Sequence, residues 1–89
     1  MQFRWIDWNR DHIAEHGVKP EEAEIVVRGA KAPFPQEIED EKFIVKGRGI
    51  SGRFLQVIYL LDSDGTVFVV HARPLTEREK KQLRRRWRT

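Results

Sequence analysis

Lys46 and Arg48 stand two residues apart in an apolar stretch of period two, and His71 and Arg73 repeat that spacing in a later one. Side chains alternate across a strand, so each pair shares one face of its own strand. If the two faces coincide, fixed cationic groups surround a scissile phosphate and stabilise the charge that develops on it. His71 has the side chain that can take or give a proton near neutral pH. Arg53 and Tyr59, from the apolar stretch between the two pairs, complete the candidate set; the tyrosine could stack or donate a hydrogen bond. Whether the faces coincide depends on strand register, which the sequence leaves open. In the competing arrangement the strand-end arginines pair with Asp40, Glu41 or other acids of the first half of the chain.

A second cationic feature follows Pro74, which ends a ladder because it has no N–H to donate. Thr76-Glu77-Arg78-Glu79 has the form of a capping box and predicts a helix to about Arg88. The apolar stripe of that helix is thin, chiefly Leu83 and Trp87, so it packs by a narrow seam. Between Thr76 and Thr89 seven Lys/Arg stand against two Asp/Glu, which leaves the solvent face strongly cationic. The run Arg84-Arg85-Arg86, with Arg78, Lys81 and Arg88 on the same helix, suits a phosphate backbone through charge and bidentate geometry. Such runs also occur on helices that meet only solvent or an acidic partner.

His12-Ile13-Ala14-Glu15-His16 matches the H-x-x-E-H pattern, in which two histidines one turn apart can bind zinc. A zinc site needs a third ligand and a walled cleft, and His16-Gly17 also reads as a helix C-terminus, where a histidine favours the dipole. The reading adopted is the structural one, with neither metal nor cofactor.

The elements that must position these groups follow from pattern. Phe3, Trp5 and Ile6 suggest a short first strand, and Asp7 an N-cap for a helix from Trp8 to His16 closed by Gly17. Pro20 opens a second helix, with Glu21 and Glu22 at the positive end of its dipole, running to Arg28 and ending at Gly29. Ala23, Val26 and Val27 form its apolar side, with Ile25 alongside. Residues 30–36, which include Pro33 and Pro35, form an extended connector. The period then changes to two: a strand at Phe43–Arg48, a turn at Gly49–Gly52, a central strand at Arg53–Leu61, a turn at Asp62–Gly65 and a strand at Thr66–Arg73. Two consecutive hairpins make a three-stranded antiparallel meander, to which the Phe3 strand could add a fourth. The expected fold is α+β: two N-terminal helices, a three- to four-stranded mainly antiparallel sheet and a C-terminal helix.

At 89 residues the chain suffices for one domain, residues 1–89, with a modest core. Cysteine is absent, which removes disulfide frameworks and thiolate metal sites and fits the cytoplasm. The start, MQFRWIDWNRDH, has no apolar run of signal-peptide length, and no later stretch approaches a membrane span, so a soluble protein without a membrane partner is expected. Net charge of +3 conceals an asymmetry: residues 1–45 carry six Lys/Arg against ten Asp/Glu, and residues 46–89 eleven against four. Charge segregated in this way favours an anionic partner, with nucleic acid the commonest, on one side and a different partner on the other.

Read in order, Trp8-Asn9, His12-Ile13, His16-Gly17-Val18, Pro20-Glu21-Glu22-Ala23, Gly47-Arg48, Gly52-Arg53 and Ala72-Arg73 with Thr76 and Glu79 resemble the BrnT-type toxins. These are small RelE-like ribonucleases of bacterial type II toxin-antitoxin systems, and the resemblance spans nearly the whole chain. It implies the same helix-helix-sheet-helix order and metal-independent cleavage of mRNA, in which the ribose 2′-hydroxyl attacks the adjacent phosphate. It implies RNA as substrate, with the ribosome as a further possible partner, and a cognate antitoxin, typically a ribbon-helix-helix protein, that covers the toxic surface. Arg48 and Arg73 are the positions it marks first, followed by Arg53, Lys46 and Tyr59. A degenerate toxin that binds nucleic acid or a partner without catalysis is the alternative.

Overall fold

The computed structural model describes residues 1–88. Helix α1 spans Asp7–Ala14 and α2 Pro20–Arg28; strands β1 (Gln36–Glu39), β2 (Lys42–Arg48), β3 (Phe54–Leu61) and β4 (Val67–Pro74) follow, and α3 (Glu77–Trp87) closes the order. The fold is α+β, with one antiparallel four-stranded sheet in the order β1-β2-β3-β4. The fourth strand is therefore Gln36–Glu39, where the sequence suggested the end of a connector, and not the Phe3 segment. Phe3 makes only an isolated parallel bridge to Val67 at the far edge. A one-rung contact is all that fits before α1 begins at Asp7.

The first helix starts at Asp7, one residue before the expected Trp8, so Asp7 lies inside the helix and is not its N-cap. Ile6 is the N-cap residue, and its N–H is satisfied from inside the helix by Asn9 Oδ1 at 2.8 Å. At the other end the regular helix stops at Ala14, and a turn continues to Gly17. The Gly17 N–H reaches Ala14 O and the Val18 N–H reaches Ile13 O, the paired bonds of a Schellman cap, which require the positive φ of +70° at Gly17. Helix α2 has the bounds expected of it. Ala23, Val26 and Val27 are buried, while Ile25 is exposed.

Register assigns the two faces of the sheet. Val45, Gly47, Leu55, Val57, Tyr59, Val69 and Ala72 lie on one face, where Val26 of α2 approaches Gly47 and Gly49 closely. That face carries the core, with Val45, Leu55, Val57, Val69 and Ala72 fully buried. Arg48, Lys46 and Ile44 of β2, Phe54, Gln56 and Ile58 of β3, and His71 and Arg73 of β4 share the opposite face. Helix α3 crosses only part of it, through Leu83, which is buried, and Trp87, whose ring lies 6.4 Å from that of Phe54. Burying one leucine stabilises by about 2 kcal/mol. The indole N–H of Trp87 offsets part of such a gain, because it is buried without a hydrogen-bond partner among the described residues. The helix N-terminus is closed by a capping box: Thr76 Oγ1 accepts from the Glu79 N–H at 3.2 Å, and Glu79 Oε1 accepts from the Thr76 N–H at 2.9 Å.

Strand β4 contains one irregularity that matters to the site. Ile58 pairs with His71 and Tyr59 with Val69, so Val70 is an extra residue with no partner of its own. The alternation begun by Val67 and Val69 would carry His71 and Arg73 into the core. The bulge advances it by one, so Ala72 takes the core position and His71 and Arg73 face outward.

Candidate cationic site

Three rows of side chains cross the open face. Arg48 stands opposite Phe54; Lys46, Gln56 and Arg73 stand opposite one another on three strands; Ile44, Ile58 and His71 form the next row. Strands lie about 4.8 Å apart, so the backbones carrying Lys46 and Arg73 are about 10 Å apart, within joint reach of their side chains. The two period-two pairs thus occupy the same face.

Arg73 is fixed rather than free. Its Nη1 and Nη2 donate to Glu79 Oε1 and Oε2, each at 2.8 Å, and Nη2 also reaches Gln56 Oε1 at 3.3 Å. This bidentate pair, with the Thr76 N–H behind it, holds the Glu79 carboxyl down to about 2, well below its ordinary 4.5. The unfolded chain therefore takes up the proton first as pH falls. The contribution of the pair to stability is complete above pH 4.5 and is lost progressively toward pH 2. Thermal unfolding followed between pH 6 and pH 2 should show this acid-dependent loss in the wild-type chain and a smaller one in Glu79→Gln.

Arg48 is exposed, and its guanidinium carbon lies 4.8 Å from the Phe54 ring centroid. Arg84 of α3 approaches the same ring at 5.5 Å, so a single phenylalanine gathers one cation from the sheet and one from the helix. Lys46 is half-buried and makes no ion pair among the described residues. His71 shares the face, with its ring edge-on to His16 at 5.5 Å. Burial, followed by the charges of His16, Arg73 and His12, holds its imidazole below the ordinary 6.5, which keeps it neutral and able to accept a proton.

Two members of the candidate set lie elsewhere. Arg53 turns to the helical side, where Nε and Nη2 bind Glu22 at 3.0 and 2.8 Å and Nη2 also reaches Gly17 O at 2.6 Å. It pairs with an acid of the first half, as the competing arrangement supposed, and ties the α1–α2 junction to the sheet. Tyr59 is buried on the core face, stacked on Phe43 at 5.4 Å, and burial raises its hydroxyl pKa. An odd position in β3 points away from the even-numbered row of Gln56, so Tyr59 cannot join Arg73.

On α3, Lys81, Arg84, Arg85 and Arg88 line an open depression of about 210 Å³. Arg78 is exposed near the helix start, and Arg86 lines a different cleft, shared with Lys46. The two histidines of the H-x-x-E-H pattern engage other rings: His12 stacks on Trp8 at 5.0 Å, and His16 meets His71. Among the described residues no group of three or more His, Cys, Asp or Glu is placed to hold a metal ion. No described helix is long and apolar enough to cross a membrane.

Sequence reasoning passed over Gln56 and the second role of Glu79. Gln56 is a polar residue between Leu55 and Val57 in the most apolar strand, which was a visible signal; it is nearly buried and supports Arg73. Glu79 was legible as a capping residue, but its pairing with Arg73 needs the fold. Comparisons with protein-family models, with curated proteins and with solved structures find no match for this chain.

Proposed function

We propose that the chain is a metal-independent RNA endonuclease, the toxin of a bacterial type II toxin-antitoxin pair, acting in the cytoplasm on mRNA and neutralised by a ribbon-helix-helix antitoxin. The observation that carries this reading is the meeting of Lys46, Arg48, His71 and Arg73 on one sheet face beside the cationic helix α3. In this mechanism Lys46 and Arg48 bind the non-bridging phosphate oxygens and stabilise the added charge of the transition state. Arg73, clamped by Glu79, fixes the far side of the phosphate. Neutral His71 accepts the proton of the 2′-hydroxyl as that oxygen attacks phosphorus, and the 5′-oxygen leaves with a proton from water. The products are a 2′,3′-cyclic phosphate and a 5′-hydroxyl. The exposed arginines of α3 hold the flanking backbone.

A non-catalytic RNA- or partner-binding module is the second reading, favoured by the closure of Arg73 against Glu79 and by the placement of Tyr59 on the far face. Expression of the chain alone in bacteria separates the two. Growth arrest, with purified protein generating cyclic-phosphate ends in the presence of a chelator, is the expected outcome. Normal growth together with retained RNA binding would sink the catalytic reading.

A further inference from the structure

Glu79, Gln82, Leu83 and Arg86 recur at the spacing of one helix face, and all four line a cleft between α3 and the β1–β2 edge. A helix that packs fully on a sheet presents an apolar stripe. Leu83 is the one apolar member of this set of four, and the cleft beside it has a volume of about 240 Å³. Phe34, Ile38, Ile44 and Leu83 supply its apolar lining. Gln36, which pairs with Ile44 in register, and Gln82 of α3 both line the cleft. Lys46, a member of the cationic row, stands at the boundary between cleft and row.

These features describe a specific kind of ligand. Ile44 of the sheet and Leu83 of the helix offer apolar surface to a flat ring. Two carboxamides supply a donor and an acceptor apiece for the edge of that ring, as a nucleobase requires and an aliphatic group does not. Lys46, which lines the cleft and also belongs to the cationic row, can meet the phosphate of the same nucleotide. We infer that the cleft lined by Phe34, Ile44, Gln82 and Leu83 is a nucleobase subsite for single-stranded RNA, seating the base next to the phosphate held by Lys46 and Arg48. This rests on the RNA reading of the open face and adds to it the means of choosing where that face engages the strand.

Titration of the full chain by NMR, with AMP, inorganic phosphate and a short oligoadenylate as separate probes, tests the subsite. AMP should shift the Ile38 and Ile44 methyls and the Gln82 side-chain amide, and bind at least about tenfold tighter than phosphate. The oligoadenylate should bind tighter again. Ile44→Trp fills the cleft and should remove the advantage of AMP over phosphate while leaving phosphate binding in place. Gln82→Leu, at an exposed helix position, should weaken AMP without lowering the melting temperature. AMP binding no tighter than phosphate, or undiminished in a folded Ile44→Trp chain, would overturn the subsite. Oligoadenylate binding no tighter than AMP would overturn the RNA assignment in favour of a free mononucleotide. RNA cleavage that persists when AMP leaves the cleft unmoved removes this inference alone; AMP binding in a chain that cleaves nothing removes the nuclease alone.

Discussion

Asn9→Asp should destabilise the fold by about 3 kcal/mol, with little change in the cationic face. Asn9 is fully buried, and its amide serves three backbone groups: Oδ1 accepts from the Ile6 N–H at 2.8 Å, and Nδ2 donates to Arg4 O at 3.2 Å and to Val69 O at 3.1 Å. It joins the start of α1, the N-terminal segment and the β4 edge at one point. The aspartate is nearly isosteric and keeps the acceptor, and its charge suits the first turn of a helix. It loses both donors, however, and faces a carboxylate toward two carbonyl oxygens in a site without water access. Those terms outweigh the dipole gain of roughly 0.5 kcal/mol. Chemical denaturation, comparing Asn9→Asp with Asn9→Ala, measures the result. An aspartate variant as stable as wild type would show that the amide does not bind both carbonyls.

Lys46→Ala with Arg48→Ala should lower the rate of RNA cleavage by about two to three orders of magnitude while the melting temperature stays within a few degrees of wild type. The pair is chosen because neither residue supports the fold: Arg48 is exposed against Phe54, and Lys46 makes no ion pair among the described residues. Arg73→Ala is the less informative change, since it leaves Glu79 unpaired and loosens the start of α3 along with any phosphate contact. Single-turnover cleavage of a defined RNA, with binding measured in parallel, separates chemistry from affinity. If the double variant cleaves at the wild-type rate, the cationic row is not the site. If only binding falls, and the wild-type chain does not cleave, the row belongs to a binding module.

The elements were legible because their signals are local. Pro20 and Gly29 bracket α2, the Thr76 and Glu79 pair opens α3, and Asp62–Gly65 closes a hairpin, each within a few residues. What the sequence withheld depends on pairing across the sheet. Gln36–Glu39 carries no apolar alternation, and it is a strand because β2 offers it an edge. Phe3 has the composition of a strand residue but only one rung to occupy. The candidate site divides along the same line. Residue types and two-residue spacing were enough to select Lys46, Arg48, His71 and Arg73, and register then united them. Arg53 and Tyr59 matched in chemistry but differed in parity, which no property of a single side chain reveals.

The extra residue at Val70 gives β4 two independent addresses. Before it, odd positions belong to the interior; after it, even positions do. Charge in the second half of the strand is thereby uncoupled from the apolar pattern of the first half. Substitutions can alter which cations the surface displays, but they cannot move those cations through the sheet. A change of one residue in length at the bulge does not move them either: removing Val70 would restore plain alternation, in which Val69 and Ala72 still face the interior and His71 and Arg73 still face outward. The bulge is what lets this strand hold one residue more than its partner without turning Arg73 inward.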